Sequence, residues 1–144
     1  MAEAEESELS ALRARVEMLE ARLALNRAVD EAVERALVGG EGTAALLDDL
    51  LPLLLSATGA CRVRAQVLEE VGATLSDEAA GPTATQLSRS LEVGDQTLGE
   101  VWVDLPEGVD PDRAAGLLDV WSEVLDDHLA VIARAKEKHR VGRE

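Results

Sequence analysis

At 144 residues, the chain is long enough for one ordinary domain with an appended segment, and a hydrophobic fraction of 47% is sufficient for a core. The formal net charge of −15 suits a soluble surface or, less favoured, attraction to a basic partner. It argues against nucleic acid and against anionic membranes as partners, because both are bound through Lys and Arg. The single cysteine, Cys61, permits no intrachain disulfide and no cysteine-cluster metal site.

The core must be aliphatic, because Trp102 and Trp121 are the only aromatic side chains. The first residues, MAEAEESEL, lack the apolar centre of a secretory signal. No apolar run approaches the ~18 residues that a transmembrane helix needs. We therefore expect a cytoplasmic protein.

The N-terminal segment predicts one long helix, because no Pro or Gly interrupts it from Ser7 to Leu37 and Gly39 follows as a stop. Its first half carries apolar residues at steps of three and four, a spacing typical of a coiled-coil seam. These residues are Leu9, Leu12, Val16, Leu19 and Leu23.

The charges beside this seam favour a parallel homodimer. In that arrangement Glu8 would face Arg13 of the second copy and Arg15 would face Glu20, and both pairs are attractive. A third pair, Arg22 with Arg27, would be repulsive. Because three heptads are marginal alone, we expect the globular part to help hold the dimer together.

The seam ends at Asn26, and a second apolar set begins with Leu25, Val29, Ala32 and Ala36. We expect the first half of the helix to bind a second copy and the second half to lie on the domain. Asn26 either fixes the coiled-coil register or simply marks its end, and both interpretations stay open. The predicted organisation is a coiled coil with connecting helix over 1–40 and an α/β domain over 41–144.

A short helix is predicted within 42–60, with Pro52 expected to kink or divide it. Alternating apolar and polar residues predict a strand over 61–67 and a return strand over 71–76. Residues 77–86 lack periodicity and predict a loop.

A hairpin follows, with strands over 87–93 and 98–105 joined by a turn at 94–96. Val101 and Val103 point to one face of the second strand and Trp102 to the other. The clearest helix begins after Asp110, which suits an N-cap, with Pro111 at the first helical position. It carries a broad apolar stripe that includes Leu118, Trp121, Leu125, His128 and Ile132.

Three stretches of the chain together resemble a GAF domain, a small sensory module of bacterial signalling proteins. They are LLDDLLPLLLSATGACRVRAQVLEE, LEVGDQTLGEVWVDLP and VDPDRAAGLLDVWSEVLDDHLAVIARA, and they cover about half of the sequence. The resemblance implies an α+β fold with a small antiparallel sheet covered on one face by the N- and C-terminal helices. It also implies that these helices form the dimer interface, which would contain Leu9, Leu12, Val16, Leu19, Leu23, Asn26, Leu118, Trp121, Leu125, His128 and Ile132.

The sequence departs from ligand-binding members of that family. Only residues 72–86 stand where those members have the helices and loops that cover a pocket. The asparagine–lysine–phenylalanine–aspartate–glutamate pattern of the cyclic-nucleotide members is missing, since the chain contains no Phe. The resemblance therefore implies a reduced module that keeps its dimer face and has lost its ligand pocket, and we expect no cofactor.

Single polar residues offer little catalytic chemistry. Cys61 is better interpreted as a small buried hydrophobe than as a chromophore attachment site, and His128 as a packed or interface residue rather than a ligand. Arg62, Arg64 and Arg89 could gather on one sheet face, where cross-strand pairing with nearby carboxylates is favoured over an anion site. We find no phosphate loop, nucleophile elbow or metal-ligand spacing, and expect no enzymatic activity.

Trp102 and Leu98 are the candidate partner surface, either exposed on the hairpin or covered by the segment 77–86, and both options stay open. The favoured function is a non-enzymatic, homodimeric GAF-like adaptor that binds another signalling protein. The alternative is an acidic dimeric chaperone of the type III secretion kind, which would hold an extended client segment. The heptads and the strand order favour the adaptor.

Overall fold

The computed structural model describes residues 2–39, 43–67 and 71–141, with the side chains at 37, 71, 78 and 131–141 outside the description. The elements in chain order are α1 (Ala2–Gly39), α2 (Thr43–Thr58), β1 (Arg62–Val67), β2 (Val71–Ser76), a short 3-10 turn (Glu78–Ala80), β3 (Thr83–Val93), β4 (Gln96–Pro106) and α3 (Pro111–Val141). The predicted mixture of helices with one antiparallel sheet is confirmed.

The sheet has the strand order β2-β1-β4-β3, and all neighbouring strands are antiparallel. Two hairpins, β1–β2 and β3–β4, are joined through the central pair β1–β4, which aligns Val63 with Val103 and Arg64 with Trp102. Gly94, at φ 60°, begins the turn between β3 and β4 in a left-handed conformation that suits glycine. The hairpin predicted around this turn is confirmed.

The prediction of a loop over residues 77–86 was wrong in its second half. The chain makes one 3-10 turn at Glu78–Ala80, capped by the Asp77 side chain, which accepts from the N–H of Ala79 at 3.1 Å. Strand β3 then begins at Thr83. Its first residues are small and polar on both faces, so hydropathy alone does not reveal an edge strand there. The connection between β2 and β3 is therefore shorter than predicted.

One face of the sheet packs against the helices. The inward side chains of β1 and β4 are fully buried, as are most leucines of α2 and most of the described apolar stripe of α3, and together they form one core. The central members of this core are Val63, Ala65, Val67, Val101, Val103, Leu105, Leu46, Leu47, Leu50, Leu54, Leu117, Trp121 and Leu125. Helices α2 and α3 lie against the strands, and α1 packs mainly on these two helices.

Helix α2 runs unbroken from Thr43 to Thr58, so Pro52 does not divide it as one alternative predicted. Pro52 is exposed, and the carbonyl of the exposed Asp48, four residues earlier, is the group that loses its helical N–H partner. Helix α3 begins as predicted, because the Asp110 carboxylate accepts from the N–H of Asp112 at 3.0 Å.

The second half of α1 belongs to the core, as the sequence predicted. Leu25, Val29, Ala32 and Ala36 are at most 5% exposed. They pack with α2 and α3 in the same core as the sheet, and the predicted unit boundary at residue 40 stays a prediction. Among the described residues, no helix is both long enough and apolar enough to cross a membrane.

Candidate interaction surfaces

The apolar seam of α1 is exposed along its whole length. The five side chains Leu9, Leu12, Val16, Leu19 and Leu23 are 51–62% exposed. Large apolar side chains exposed side by side on one helix are unusual, because isolated surface leucines are normally scattered. This seam is therefore the most prominent candidate interaction surface that the structure describes.

The seam points away from the rest of the protein. Met18, Ala21 and Leu25 pack against the core, and at 3.6 residues per turn they lie roughly 150° around the helix from the seam. In heptad terms, the seam takes positions a and d, whereas the core contacts take positions c and f. Between Val16 and Leu25 the helix therefore contributes side chains to the seam on one side and to the core on the other. The domain does not cover the seam.

A joint between α1 and α3 fixes this orientation. Gly116 of α3 leaves room for Met18, since a Cβ at that position would collide with the Met18 methyl group. Beside it, Arg113 donates to the Glu17 carboxylate at 3.0 Å and to the carbonyl of Ala57 at 3.2 Å. Arg113 thus links all three helices. The roles of Arg113 and Gly116 could not be predicted from the sequence, because they depend on helices that are distant in sequence.

The predicted interface residues of α3 lie in the core of a single chain. Leu118, Trp121 and Leu125 are at most 2% exposed, and the Trp121 indole N–H donates to the carbonyl of Leu50 at 3.0 Å. Side chains enclosed by their own chain offer no surface to a second copy. We therefore assign these three residues to the core, while the exposed Asn26 stays at the end of the seam. The side chain of Ile132 lies outside the described residues.

His128 is also buried, at 7% exposure, and its Nδ1 atom has no hydrogen-bond partner. Burial lowers the pKa of His128 below its usual value, because the charged imidazolium is poorly solvated there. The Ser122 hydroxyl on the same helix is similarly buried and unpartnered. His128 thus belongs to the interior and not to the predicted dimer interface.

The sheet face opposite to the helices carries polar side chains around one tryptophan. We call it the outer sheet face and define it by the alternate residues Arg62, Arg64, Trp102, Asp104, Gln86 and Ser88. The Arg64 guanidinium lies over the Trp102 ring, with its carbon 4.2 Å from the ring centroid. Such stacking favours a cation that remains partly accessible to solvent.

Leu98 is not part of this face. The register between β3 and β4 shifts between Leu91 and Glu92, which pair with Gly99 and Thr97 and leave Leu98 as an extra residue. Leu98 is half-buried and packs against the core. Of the two residues predicted as a partner surface, only Trp102 lies on the outer sheet face, where it is half-buried.

The three arginines of the acidic middle segment do not gather on one face. Arg62 faces outward and forms an ion pair with its cross-strand neighbour Asp104 at 3.7 Å. Arg89 instead points to the helix side, where it pairs with Asp119 and Asp126 of α3, each at 3.3 Å. Arg64 has the Trp102 ring as its partner. Cross-strand pairing with a carboxylate, the favoured interpretation, therefore holds for Arg62, whereas Arg89 pairs with carboxylates of a helix.

Asp126 joins the edge strand to the helix. One carboxylate oxygen pairs with Arg89, and the other accepts from the backbone N–H of Glu92 at 3.0 Å. Burial raises the pKa of Asp126, an effect that these two donors only partly offset. The contact is structural, because both donors belong to β3 and hold that strand against α3.

Cys61 is buried as predicted, and its thiol contacts the carbonyl of Asp104 at 3.2 Å. No group of three or more His, Cys, Asp or Glu side chains with the arrangement of a metal site occurs in the part of the chain that the structure describes.

No protein-family model matches the chain, and no curated protein has significant similarity to it. The interpretation as a GAF-like module therefore stays a prediction from the sequence.

Proposed function

We propose that this protein is a non-enzymatic, homodimeric, GAF-like signalling adaptor. The exposed seam of α1 binds a second copy in parallel, and the outer sheet face meets a protein partner. One observation carries the proposal: five large apolar side chains, more than half exposed, lie on the side of α1 that faces away from its own domain.

A second copy fits this seam by shape and by charge. Leu or Val at position a with Leu at position d suits a two-stranded coil. The flanking pairs Glu8 with Arg13 and Arg15 with Glu20 are attractive in the parallel register and outnumber the one repulsive pair, Arg22 with Arg27. All six side chains are exposed. Because the core contacts of α1 lie on the opposite side of the helix, the two domains would flank the coil without competing for it.

The expected dimer is stable only at sufficient concentration. Burying the exposed half of five such side chains on each of two copies contributes roughly 10 kcal/mol. That value is of the same order as the free-energy cost of bringing two proteins together. We therefore expect dissociation on dilution, which suits a regulator whose assembly responds to its abundance.

The adaptor part of the proposal is supported by the sheet. Its strand order brings the β3–β4 hairpin beside β1, and only residues 77–82 connect β2 with β3. A connection of this length cannot enclose a small-molecule ligand on the outer sheet face. The face is therefore open to contact with a partner protein, which supports the adaptor proposal.

Light scattering of the full chain during size exclusion tests the dimer. We expect twice the subunit mass for the native chain and the subunit mass for the double variant Leu12→Glu/Leu19→Glu. The matched control is Ala11→Glu/Ala14→Glu, which adds the same charge on exposed positions of the same helix outside the seam. A native chain that is still monomeric at about millimolar concentration, or equal behaviour of the two variants, would contradict the proposal.

A further inference from the structure

The outer sheet face contains a shallow hollow whose charge is opposite to that of the protein. Its volume is about 60 Å³, and it is lined by Arg62, Arg64, Gln86, Trp102 and Asp104. Two guanidinium groups and one carboxylate leave one positive charge, although the whole chain carries −15. Glu100 belongs to the next row of the face, aligned with Gln66, and does not line the hollow.

The single carboxylate of the hollow is already compensated. The Asp104 side chain is 12% exposed, accepts from the Gln86 amide at 2.8 Å and lies 3.7 Å from Arg62. Arg64, by contrast, forms no ion pair with any carboxylate among the described residues. Its guanidinium rests on the Trp102 ring and is held in place without losing its capacity to donate.

We propose, resting on the adaptor function above, that this hollow binds an acidic side chain of the partner protein. A carboxylate of Asp or Glu would accept from Arg64, with Arg62 beside it, and an adjacent apolar side chain would cover Trp102. The excess of one positive charge matches a singly charged carboxylate. A hollow of about 60 Å³ has room for a few water-sized groups, which suits a carboxylate.

Trp and Arg are among the residues that most often dominate the energy of protein–protein interfaces. Here Arg64 and Trp102 are stacked on the two central strands, on the sheet face that the helices do not cover. The protein's other charges weaken this contact little at physiological ionic strength, because screening limits exposed charges to about 8 Å.

Nuclear magnetic resonance of the full chain tests this proposal with two capped peptides, one of alternating Leu and Glu and one of alternating Leu and Gln. We expect the Glu peptide to shift the Trp102 indole and the Arg64 side-chain N–H signals. The Trp121 indole should not move, because it is buried and bonded to Leu50. The Gln peptide should bind at least about tenfold more weakly, since its amide oxygen carries no negative charge to pair with the guanidinium and cannot accept as an ionised carboxylate does.

Two variants complete the test. Arg64→Gln should reduce affinity for the Glu peptide roughly tenfold, whereas Arg27→Gln, an exposed arginine on α1, should not change it. Equal binding of the two peptides, an unaffected Arg64→Gln variant, or no binding at about millimolar peptide would overturn the proposal. Because dimer mass is measured separately, a failure here leaves the result on the α1 seam unchanged.

Discussion

At the scale of single residues, His128 and Ser122 are the buried side chains that retain unpaired polar atoms among the described residues. An unpaired buried polar group costs free energy, and a buried imidazole also resists protonation. Ser122, which does not titrate, is therefore a suitable comparison for His128 on the same helix.

His128 should make the protein sensitive to mild acid. Because burial lowers its pKa in the folded state below 6.5, the folded protein favours the neutral imidazole. Its contribution to stability is complete above the pKa of the unfolded state and is lost as the pH falls below it. We expect the free energy of unfolding to drop by at most about 1.4 kcal/mol per pH unit in that range for this one proton.

Urea unfolding between about pH 5 and pH 7.5 checks this expectation. The variant His128→Leu should remove this part of the pH dependence, whereas Ser122→Ala should shift stability equally at every pH. A pH profile of His128→Leu parallel to that of the native protein would show that His128 is accessible to protons in the folded state.

Gly99 is the glycine whose replacement the sheet tolerates least. A Cβ at this position would collide with the backbone carbonyl of Gln66 on the neighbouring strand β1. Backbone atoms cannot move aside as a side chain can, so Gly99→Ala should destabilise the fold by about 2 kcal/mol or more.

Gly72 provides the control for Gly99. A Cβ there approaches the same residue, Gln66, but meets its flexible side-chain oxygen at 3.0 Å. Gly72→Ala should change the unfolding free energy by less than about 0.5 kcal/mol. Thermal unfolding of both variants measures the difference, and similar losses would mean that β1 and β4 are not held in the described register.

At the scale of secondary-structure elements, the edge strand β3 is attached to α3 by ionic contacts. Arg89→Met would leave the Asp126 carboxylate, which is 17% exposed, without its cation. We expect a loss of about 1–3 kcal/mol in unfolding free energy and faster amide exchange along β3.

Arg62→Met is the comparison for this edge contact. Arg62 is 51% exposed and its ion pair with Asp104 is longer, at 3.7 Å, so its removal should cost less than about 1 kcal/mol. If the two variants lost equal stability, the contact between Arg89 and α3 would not be what holds β3.

The sequence predicted the elements with strong periodicity and missed those without it. The helices and β1 were identified because apolar residues recur at 3.6 or 2 residues. The start of β3 was missed because Thr83 and its neighbours are small and polar on both faces. Hydropathy has no period in such a segment, and pairing with β4 alone defines the strand.

The candidate surfaces likewise include one that the sequence could predict and others that it could not. The seam of α1 could be identified from heptad spacing alone, since its neighbours lie on the same helix. The position of Arg89 depends on which strand face meets α3, and the displacement of Leu98 depends on a bulge, neither of which a single strand's sequence encodes. The stripe of α3 was correctly identified as apolar, but hydropathy cannot distinguish a core from a dimer interface.

At the scale of the whole molecule, α1 connects the exposed seam with the core of the domain. One stretch, Val16 to Leu25, contributes to the seam and to the core at the same time, and Arg113 clamps it to α2 and α3. Binding of a second copy should therefore stabilise the domain itself. Stability and self-association become linked, since anything that binds only the folded state shifts its unfolding equilibrium.

The proposal that the seam of α1 binds a second copy in parallel is tested most directly by introducing a cysteine at position 9. A disulfide would then link the two copies. In a parallel, in-register dimer the two copies of residue 9 face each other, so Leu9→Cys should form a covalent dimer under mild oxidation, seen on a non-reducing gel. Ala11→Cys, two residues away and outside the seam, should not. Cys61 is 6% exposed and does not interfere. Equal cross-linking of the two variants, or none in either, would contradict the claim.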